Sequence, residues 1–432
     1  MNEIVSNLLV YGSLPEDSIL WQLADICEKL KNQTESKDAL RGRVFHQVKN
    51  LLTVATDYAF DKNLWHNYLT FLLITNENPF SLVCEKMGAQ DGTVNNFVTH
   101  DFKMFKKLFD YDFSWMEKEL SIDCFTQLTH YKAIRKKELM YNKNVSEKVR
   151  NLSEQLETAE SGADFFKYVT EFYKDFGVGM FGLNKAFRIA ENGDGSVRFL
   201  PINNMDAVML DDLIGYELQK KKLVENTQAF CDGKAANNVL LFGDSGTGKS
   251  TSIKAIVNQF YPQGLRMIEI YKHQFKDLST IIAQIKNRNY KFIIYMDDLS
   301  FEEFEIEYKF LKAVIEGGVE TKPDNVLIYA TSNRRHLIRE TFRDKQDRDE
   351  DMHTNDTVQE KLSLVARFGV TIYFGSPDKK AFQEIVRVLA KKNGINMPEE
   401  QLLLEANAWE LSHGGLSGRT AQQFIDYLAG RE

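Results

Sequence analysis

The sequence predicts an α/β phosphate-loop fold: a five-stranded parallel sheet with helices on both faces and a small helical lid, preceded by a mostly α-helical N-terminal domain. Three observations predict it. A Gly-rich octapeptide, Gly243 to Ser250, follows a short apolar run and opens a helical pattern. Short apolar strands then alternate with helical stretches, the rhythm of a parallel sheet buried on both faces. Ahead of them, roughly 185 residues carry apolar side chains at helical spacing.

The helical part comes first. Ile19, Leu23, Ile26 and Leu30 share one helical face, as do Val145, Val149, Leu152 and Leu156. Phe102, Phe105 and Phe109 form another stripe, and Phe165, Phe166, Val169, Phe172 and Phe176 a further one. Bundling would hide such stripes. Two alternating segments around Asn192-Gly193-Asp194-Gly195 read as a hairpin, and the helical domain is taken to end after it, at 1–200. The core follows at 201–376. It holds a helix from Asp212 to about Asp232 and strands at Val239–Phe242, Arg266–Tyr271, Phe292–Met296, Val326–Ala330 and Val370–Phe374. Residues 377–432 read as a helical lid, with a stripe of Phe382, Ile385, Val386 and Leu389 and a C-terminal stop at Gly394. Asp344–Asp356 is polar and acidic and reads as a loop.

Composition bounds the function. The chain has 432 residues, enough for two or three domains, with 43% hydrophobic and 27% charged residues, a soluble globular balance. Its 54 basic and 62 acidic side chains give a net charge of −8, which lends no support to a dedicated nucleic-acid binder. Cys27, Cys84, Cys124 and Cys231 form no CxxC, so neither a disulfide framework nor a cysteine zinc site is expected. The first residues show no secretory signal and no apolar run approaches the roughly 20 residues that span a bilayer, so a cytoplasmic protein is expected. The eight histidines show no HExxH pairing, and His336 reads as solvated or capping. Lys132–Arg150, with Arg135, Lys136, Lys137, Lys143 and Lys148, reads as a solvated helix face.

Gly243-Asp244-Ser245-Gly246-Thr247-Gly248-Lys249-Ser250 fits G-x-x-x-x-G-K-[ST]. The glycines let successive backbone N–H groups turn inward and cradle phosphate oxygens. Lys249 supplies a charge for the β- and γ-phosphates, and the Ser250 hydroxyl reaches Mg²⁺; the helix that begins here, with Thr251 in its first turn, adds its dipole. ATP and Mg²⁺ are therefore the expected ligands. Phe292–Met296 runs into Asp297-Asp298. Taken alone such a pair is ordinarily a turn. About fifty residues after a phosphate loop, Asp297 suits a Mg²⁺ site and Asp298 the orientation of the attacking water.

Val326–Ala330 runs into Thr331-Ser332-Asn333, and the order of the two Walker strands and this third strand resembles the AAA+ ATPases. That resemblance implies Asn333 as sensor 1, near the γ-phosphate or the water. The segment from Glu360 to Gly369 resembles box VII, which implies Arg367 as an arginine finger inserted into a neighbouring subunit; Arg334 and Arg335 are rivals for that role. Gly415 to Thr420 resembles the sensor 2 segment, which implies Arg419. Leu210 to Glu217 resembles the entry segment against the adenine, which implies Leu213 and Ile214. Over about 205–432 the words DDLIGYE, NVLLFGDSGTGKS, DDLSFEE, NVLIYATSNRRHL, EKLSLVARFG and SGRTAQQF are similar to an uncharacterised bacterial family with an ATP-binding AAA+ core, itself distantly like helicase-loader and initiator domains.

Two departures bear on activity. The usual Walker B glutamate is Asp298, whose carboxylate falls back by roughly one bond, ~1.5 Å, so that Glu302 or Glu303 could substitute and turnover could be slow. Tyr271-Lys272-His273-Gln274-Phe275 lacks the aromatic-apolar-Gly signature of a threading pore loop. The expectation is an ATP-hydrolysing, self-associating protein whose helical domain binds an unknown protein partner, with nucleic acid open but unsupported by charge and no membrane. The alternative is a nucleotide-dependent binding module or adaptor with little hydrolysis. A small-molecule kinase is disfavoured by the box VII and sensor 2 words.

Overall fold

The structure, a computed structural model, describes residues 1–133, 143–202, 205–301, 305–316, 323–334, 337 and 364–431. Several sequence expectations lie outside them: Arg135, Lys136, Lys137, Glu302, Glu303, Arg335, His336, the Asp344–Asp356 stretch and the first part of the box VII segment. The chain divides into two units, Met1–Asn184 and Lys185–Glu432.

The first unit is helical, as the spacing predicts. Its main helices are α1 (Ile19–Asn32), α2 (Lys37–Asp57), α3 (Leu64–Thr75), α4 (Pro79–Met87), α5 (Val94–Phe109), α6 (Lys143–Glu157) and α7 (Gly162–Phe176). Side chains start them: Ser18 accepts from the Trp21 N–H, and Ser161 and Asp164 close a reciprocal capping box. The stripes read from the sequence go inside. Ile19, Leu23, Ile26 and Leu30 are buried, as are Val145, Val149, Leu152, Leu156 and Phe102, Phe105 and Phe109. In the last stripe Phe165, Val169 and Phe172 are buried, Phe166 is half-buried and Phe176 stays 42% exposed.

The second unit holds a seven-stranded sheet in the order β2-β1-β4-β5-β6-β3-β7. The strands are β1 (Ala186–Glu191), β2 (Val197–Pro201), β3 (Val239–Gly243), β4 (Leu265–Glu269), β5 (Lys291–Met296), β6 (Val326–Ser332) and β7 (Val370–Phe374). The five strands expected from the sequence are β3 to β7, displaced at their ends by at most two residues. All five run parallel, and β6 is buried at every position, as a strand covered on both faces must be. The helices are α8 (Glu217–Cys231), α9 (Lys249–Phe260), α10 (Leu278–Ile285) and α11 (Glu307–Glu316). The lid is α12 (Lys379–Lys392), α13 (Glu399–Ser412) and α14 (Gly418–Ala429), packed around Phe382, Val386, Ala406, Phe424 and Ile425.

The structure differs from the expected layout at the hairpin. β1 and β2 pair antiparallel, as the turn predicts, but β1 also pairs parallel with β4, Ala186 against Met267 and Phe187 against Ile268. The hairpin therefore belongs to the sheet, which has seven strands rather than five, and the helical unit ends at Asn184 rather than near 200. The physical reason is that a hairpin turn is a local signal, whereas the β1–β4 ladder joins segments about eighty residues apart and leaves no mark in the spacing of either. The stretch expected as one helix from Asp212 is divided: a short turn at Leu210–Asp212, then α8 from Glu217.

Phe187 is fully buried on β1 and meets Phe199 of β2 edge-on. Phe187→Ala is expected to cost about 3–5 kcal/mol. Its amide-exchange signature would be lost protection in β4 with α1 and α5 unchanged; unchanged β4 protection would separate the hairpin from the sheet.

Candidate functional site

Parallel pairing brings the chemistry together. β3, β5 and β6 run the same way, so their C-terminal ends share one edge of the sheet, and each ends at a residue singled out from the sequence: Gly243, Met296 before Asp297, and Ser332 before Asn333. β3 lies between β6 and β7, where the strand order reverses, the place at which open α/β sheets hold ligands. A cleft of ≈ 640 Å³ opens there. Its walls include Ser245 to Thr251, Asp297, Asp298, Asn333 and Arg419, together with Leu213 and Ile214.

The loop is shaped for a close ligand. Gly243 sits at φ 134, and a Cβ there would stand 2.1 Å from the Phe374 carbonyl oxygen of β7. Gly248 sits at φ 91, where a Cβ would meet Leu213 at 2.9 Å. Gly248 caps α9, and no side chain caps that helix, which leaves its first N–H groups to a ligand in the cleft. Asp244 holds the loop to the chain leading into the lid: its Oδ2 accepts from the Ser376 N–H at 2.7 Å and the Ser376 hydroxyl at 2.9 Å. Those bonds keep the Asp244 carboxyl below the usual aspartate range.

Lys249 is only 6% exposed. Its ammonium donates to the carbonyls of Gly243 (3.0 Å) and Asp244 (2.5 Å) and to Asn333 Oδ1 (3.0 Å), which uses all three of its hydrogens. Withdrawal from water lowers its pKa, and Arg419 adds to that, so a phosphate arriving here would meet a cation short of solvation. Asn333 turns its amide nitrogen to Asp298 Oδ1 at 2.8 Å, so one side chain bridges lysine and aspartate.

Asp297 Oδ1 accepts three hydroxyls: Ser250 at 2.7 Å, Tyr295 at 2.7 Å and Thr331 at 2.6 Å. Partial desolvation works against its charge, but these bonds outweigh it and hold the carboxyl below its ordinary value. The arrangement fits Mg²⁺ arriving with a nucleotide. Ser250 donates its proton to the carboxylate and so keeps its lone pairs for a cation, and the Asp297 carboxylate stands beside it for the cation's hydration shell. Among the described residues no group of three or more His, Cys, Asp or Glu gathers, so the rest of such a shell would come from phosphate oxygens and water.

Arg419 opens α14, whose N-cap Ser417 accepts from the Thr420 N–H. Its backbone N–H donates to the Gly246 carbonyl at 3.2 Å and its guanidinium reaches the Ser245 hydroxyl at 3.4 Å. Arg367 is not part of the cleft. It lies three residues before β7, whose first residue pairs with the first of β3, so about five residues of strand, roughly 15 Å, separate it from its own phosphate loop. Arg334 is exposed just past Asn333.

Sequence reading missed Tyr295, Thr331 and Ser376 as parts of the site, and Ile385, Leu389, Gln422 and Gln423 as lid residues along the cleft. Tyr295 had a signal, since it lies two residues before Asp297 on the same strand face. Thr331 had none, because its place beside Asp297 follows from the β5–β6 register, Met296 against Ala330.

A family model described as "Protein of unknown function (DUF815)" matches residues 183–432. No curated protein matches the sequence. Among solved structures, a variant of RuvB from Thermotoga maritima is similar at 18% identity with a TM-score of 0.36, over 50% of this chain and 63% of that one, less than two thirds of its length. A FIGL-1 AAA domain in complex with ADP is similar at 20% identity with a TM-score of 0.36, over 52% of this chain and 74% of that one. Among the described residues no helix is long and apolar enough to cross a membrane.

Gly243→Ala is expected to cost about 2–6 kcal/mol, backbone strain plus the clash with Phe374. Gly215→Ala, at φ 80 but facing open space, should cost about 1–3 kcal/mol from strain alone. Chemical denaturation compares the two, and equal losses would remove the clash from the account. Ser376→Ala tests the hold on Asp244. A carboxyl whose folded pKa is lowered stabilises the fold above its unfolded pKa, about 3.9, and loses that contribution as pH falls through the lowered value. The stability gap between wild type and Ser376→Ala should therefore be present at pH 6 and close towards pH 2; a gap unchanged at pH 2 would locate the effect elsewhere.

Proposed function

The chain belongs to the DUF815 family, and from that premise we propose that it binds ATP with Mg²⁺ and hydrolyses it to ADP and phosphate, driving a conformational change in an assembly or partner. One observation carries this reading. Lys249, Ser250, Asp297, Asp298, Asn333 and Arg419 come from four separate stretches of chain and meet at the C-terminal ends of the parallel strands of one sheet, within hydrogen-bond distance of one another or of the phosphate loop. A purely structural Gly-rich turn would not gather a lysine, a hydroxyl, two carboxylates and an amide from three strand ends.

In this reading the loop N–H groups and Lys249 bind the β- and γ-phosphates, and Ser250 and Asp297 hold Mg²⁺. When bound, Mg²⁺ neutralises charge on the phosphate oxygens. Asp298 and Asn333 orient the water that attacks the γ-phosphorus, with ADP as leaving group. Arg419 reaches the phosphates from the lid, and Leu213 and Ile214 lie against the base. Arg367 acts in a neighbouring copy, which its distance from its own cleft supports. The protein is then a homo-oligomer, and the helical unit is the candidate contact for a protein partner.

A second reading has one observation in its favour. The Asn333 amide occupies the Asp298 carboxylate, already one methylene shorter than a glutamate, so the group that would orient water is engaged by a neighbour. A nucleotide-dependent adaptor with little hydrolysis would look the same.

Steady-state ATP turnover per protomer at rising protein concentration separates the two. The expected result is a rate that climbs with concentration and falls about 10²–10³-fold in Lys249→Ala. Arg367→Ala should lower it by ~10³-fold or more in a preparation that still assembles. A flat rate equal to that of Lys249→Ala, with ATP still bound, would replace hydrolysis by the adaptor reading.

A further inference from the structure

The acid pair is held by a residue outside it. Thr331, on β6 and 2% exposed, uses its hydroxyl in both directions. It donates to Asp297 Oδ1 at 2.6 Å and accepts from the Asp298 backbone N–H at 2.9 Å. Its carbonyl separately takes the Leu299 N–H at 2.7 Å. The two aspartates thus stand on a turn pinned at three successive points to one neighbouring residue.

The turn needs pinning. Asp298 sits at φ 49, in the left-handed region that a residue with a Cβ seldom adopts. That conformation turns the chain between the two carboxylates, so that Asp297 meets Ser250 while Asp298 meets Asn333. An extended residue there would send successive side chains to opposite faces. The hydroxyl also fixes the carboxylate of Asp297, because with Tyr295 and Ser250 it converges on Oδ1.

We propose that Thr331 is the positioning residue of the acid pair: one hydroxyl sets the orientation of the Asp297 carboxylate and the turn that carries the Asp298 carboxylate together. The proposal rests on the ATP–Mg²⁺ reading of the cleft for its consequence, though not for its geometry. Thr331 touches no reacting atom in this account. It acts through the two aspartates.

Two variants of the full chain test it. Thr331→Val keeps the shape, the carbonyl bond to Leu299 and the buried methyl but loses the hydroxyl. Thr331→Ser keeps the hydroxyl. The first measurement is hydrogen exchange of the Asp298 amide without ligand. It should quicken by at least ~10-fold in the valine variant and match wild type in the serine variant, as loss of a protecting acceptor requires. The second is equilibrium binding of a fluorescent ATP analogue during Mg²⁺ titration. The half-saturating Mg²⁺ concentration should rise ~10–100-fold in Thr331→Val, the scale set by partners that orient metal ligands, with Mg²⁺-free affinity unchanged. Where turnover is seen, kcat should fall by the same factor while KM moves less than ~3-fold, and Thr331→Ser should restore it. Wild-type exchange and Mg²⁺ dependence in Thr331→Val would overturn the proposal, as would a serine variant as impaired as the valine one. Failure of the ATP reading is distinct: wild type and Lys249→Ala would then bind the analogue equally, and the exchange measurement alone would decide whether the hydroxyl pins the turn.

Discussion

A single carboxylate oxygen organises the edge of the sheet at which the candidate site lies. Asp297 Oδ1 accepts from Ser250 at the start of α9, from Tyr295 on its own strand and from Thr331 on the next. Three hydroxyls on one oxygen leave little freedom. The first turn of the phosphate-loop helix, the end of β5 and the end of β6 must arrive together or the bonds are not made. Hydrogen bonds to a charged acceptor are the stronger kind, and they are also what keeps this carboxylate ionised against its partial desolvation. Strand register supplies the alignment: β5 and β6 pair from Phe292 with Val326 to Met296 with Ala330, and one step further lie Asp297 and Thr331.

That dependence on register marks the boundary of what the sequence could show. Local signals were legible. The Gly243–Ser250 loop needs its own glycines, the stripes of α1, α5 and α6 repeat at helical spacing, and β3 to β7 appear as short apolar runs. Asp297 and Asn333 were legible because each follows a strand directly. What stayed hidden is set by pairing between distant segments. Thr331 is an ordinary strand threonine until β6 is laid beside β5, and β1 is one arm of a hairpin until it pairs with β4. Ser376 is a residue before a proline until Asp244 folds onto it. Burial patterns are read along a chain, whereas these contacts run across it.

The lid and the phosphate loop meet at two places. Asp244 grips Ser376 where the chain leaves β7 for the lid, and Arg419 at the start of α14 returns to Gly246 and Ser245. Between them Lys249 rests on the carbonyls of Gly243 and Asp244. The same loop residue therefore offers its carbonyl to the lysine and its carboxylate to the lid connection. The entry segment closes the other side, where Tyr216 donates to the Gly375 carbonyl and Lys392 of α12 meets Asp212. The cleft is lined by the phosphate loop and also by the apolar side chains of Leu213, Ile214, Ile385 and Leu389.

An open seven-stranded sheet has two borders, and here a glutamine caps one outward carbonyl on each. At β7 the outward carbonyl of Tyr373 is taken by the Gln219 side chain of α8 at 3.1 Å; at β2 the Val197 carbonyl is taken by Gln284 of α10 at 3.3 Å. β2 also ends in Pro201, which has no N–H to offer, and carries the exposed charge of Arg198. A bare strand border is a template for any other extended chain, and sheets grow into aggregates from such borders. On each border a side chain from the protein's own helices takes one acceptor that an added strand would need, which works against further pairing there.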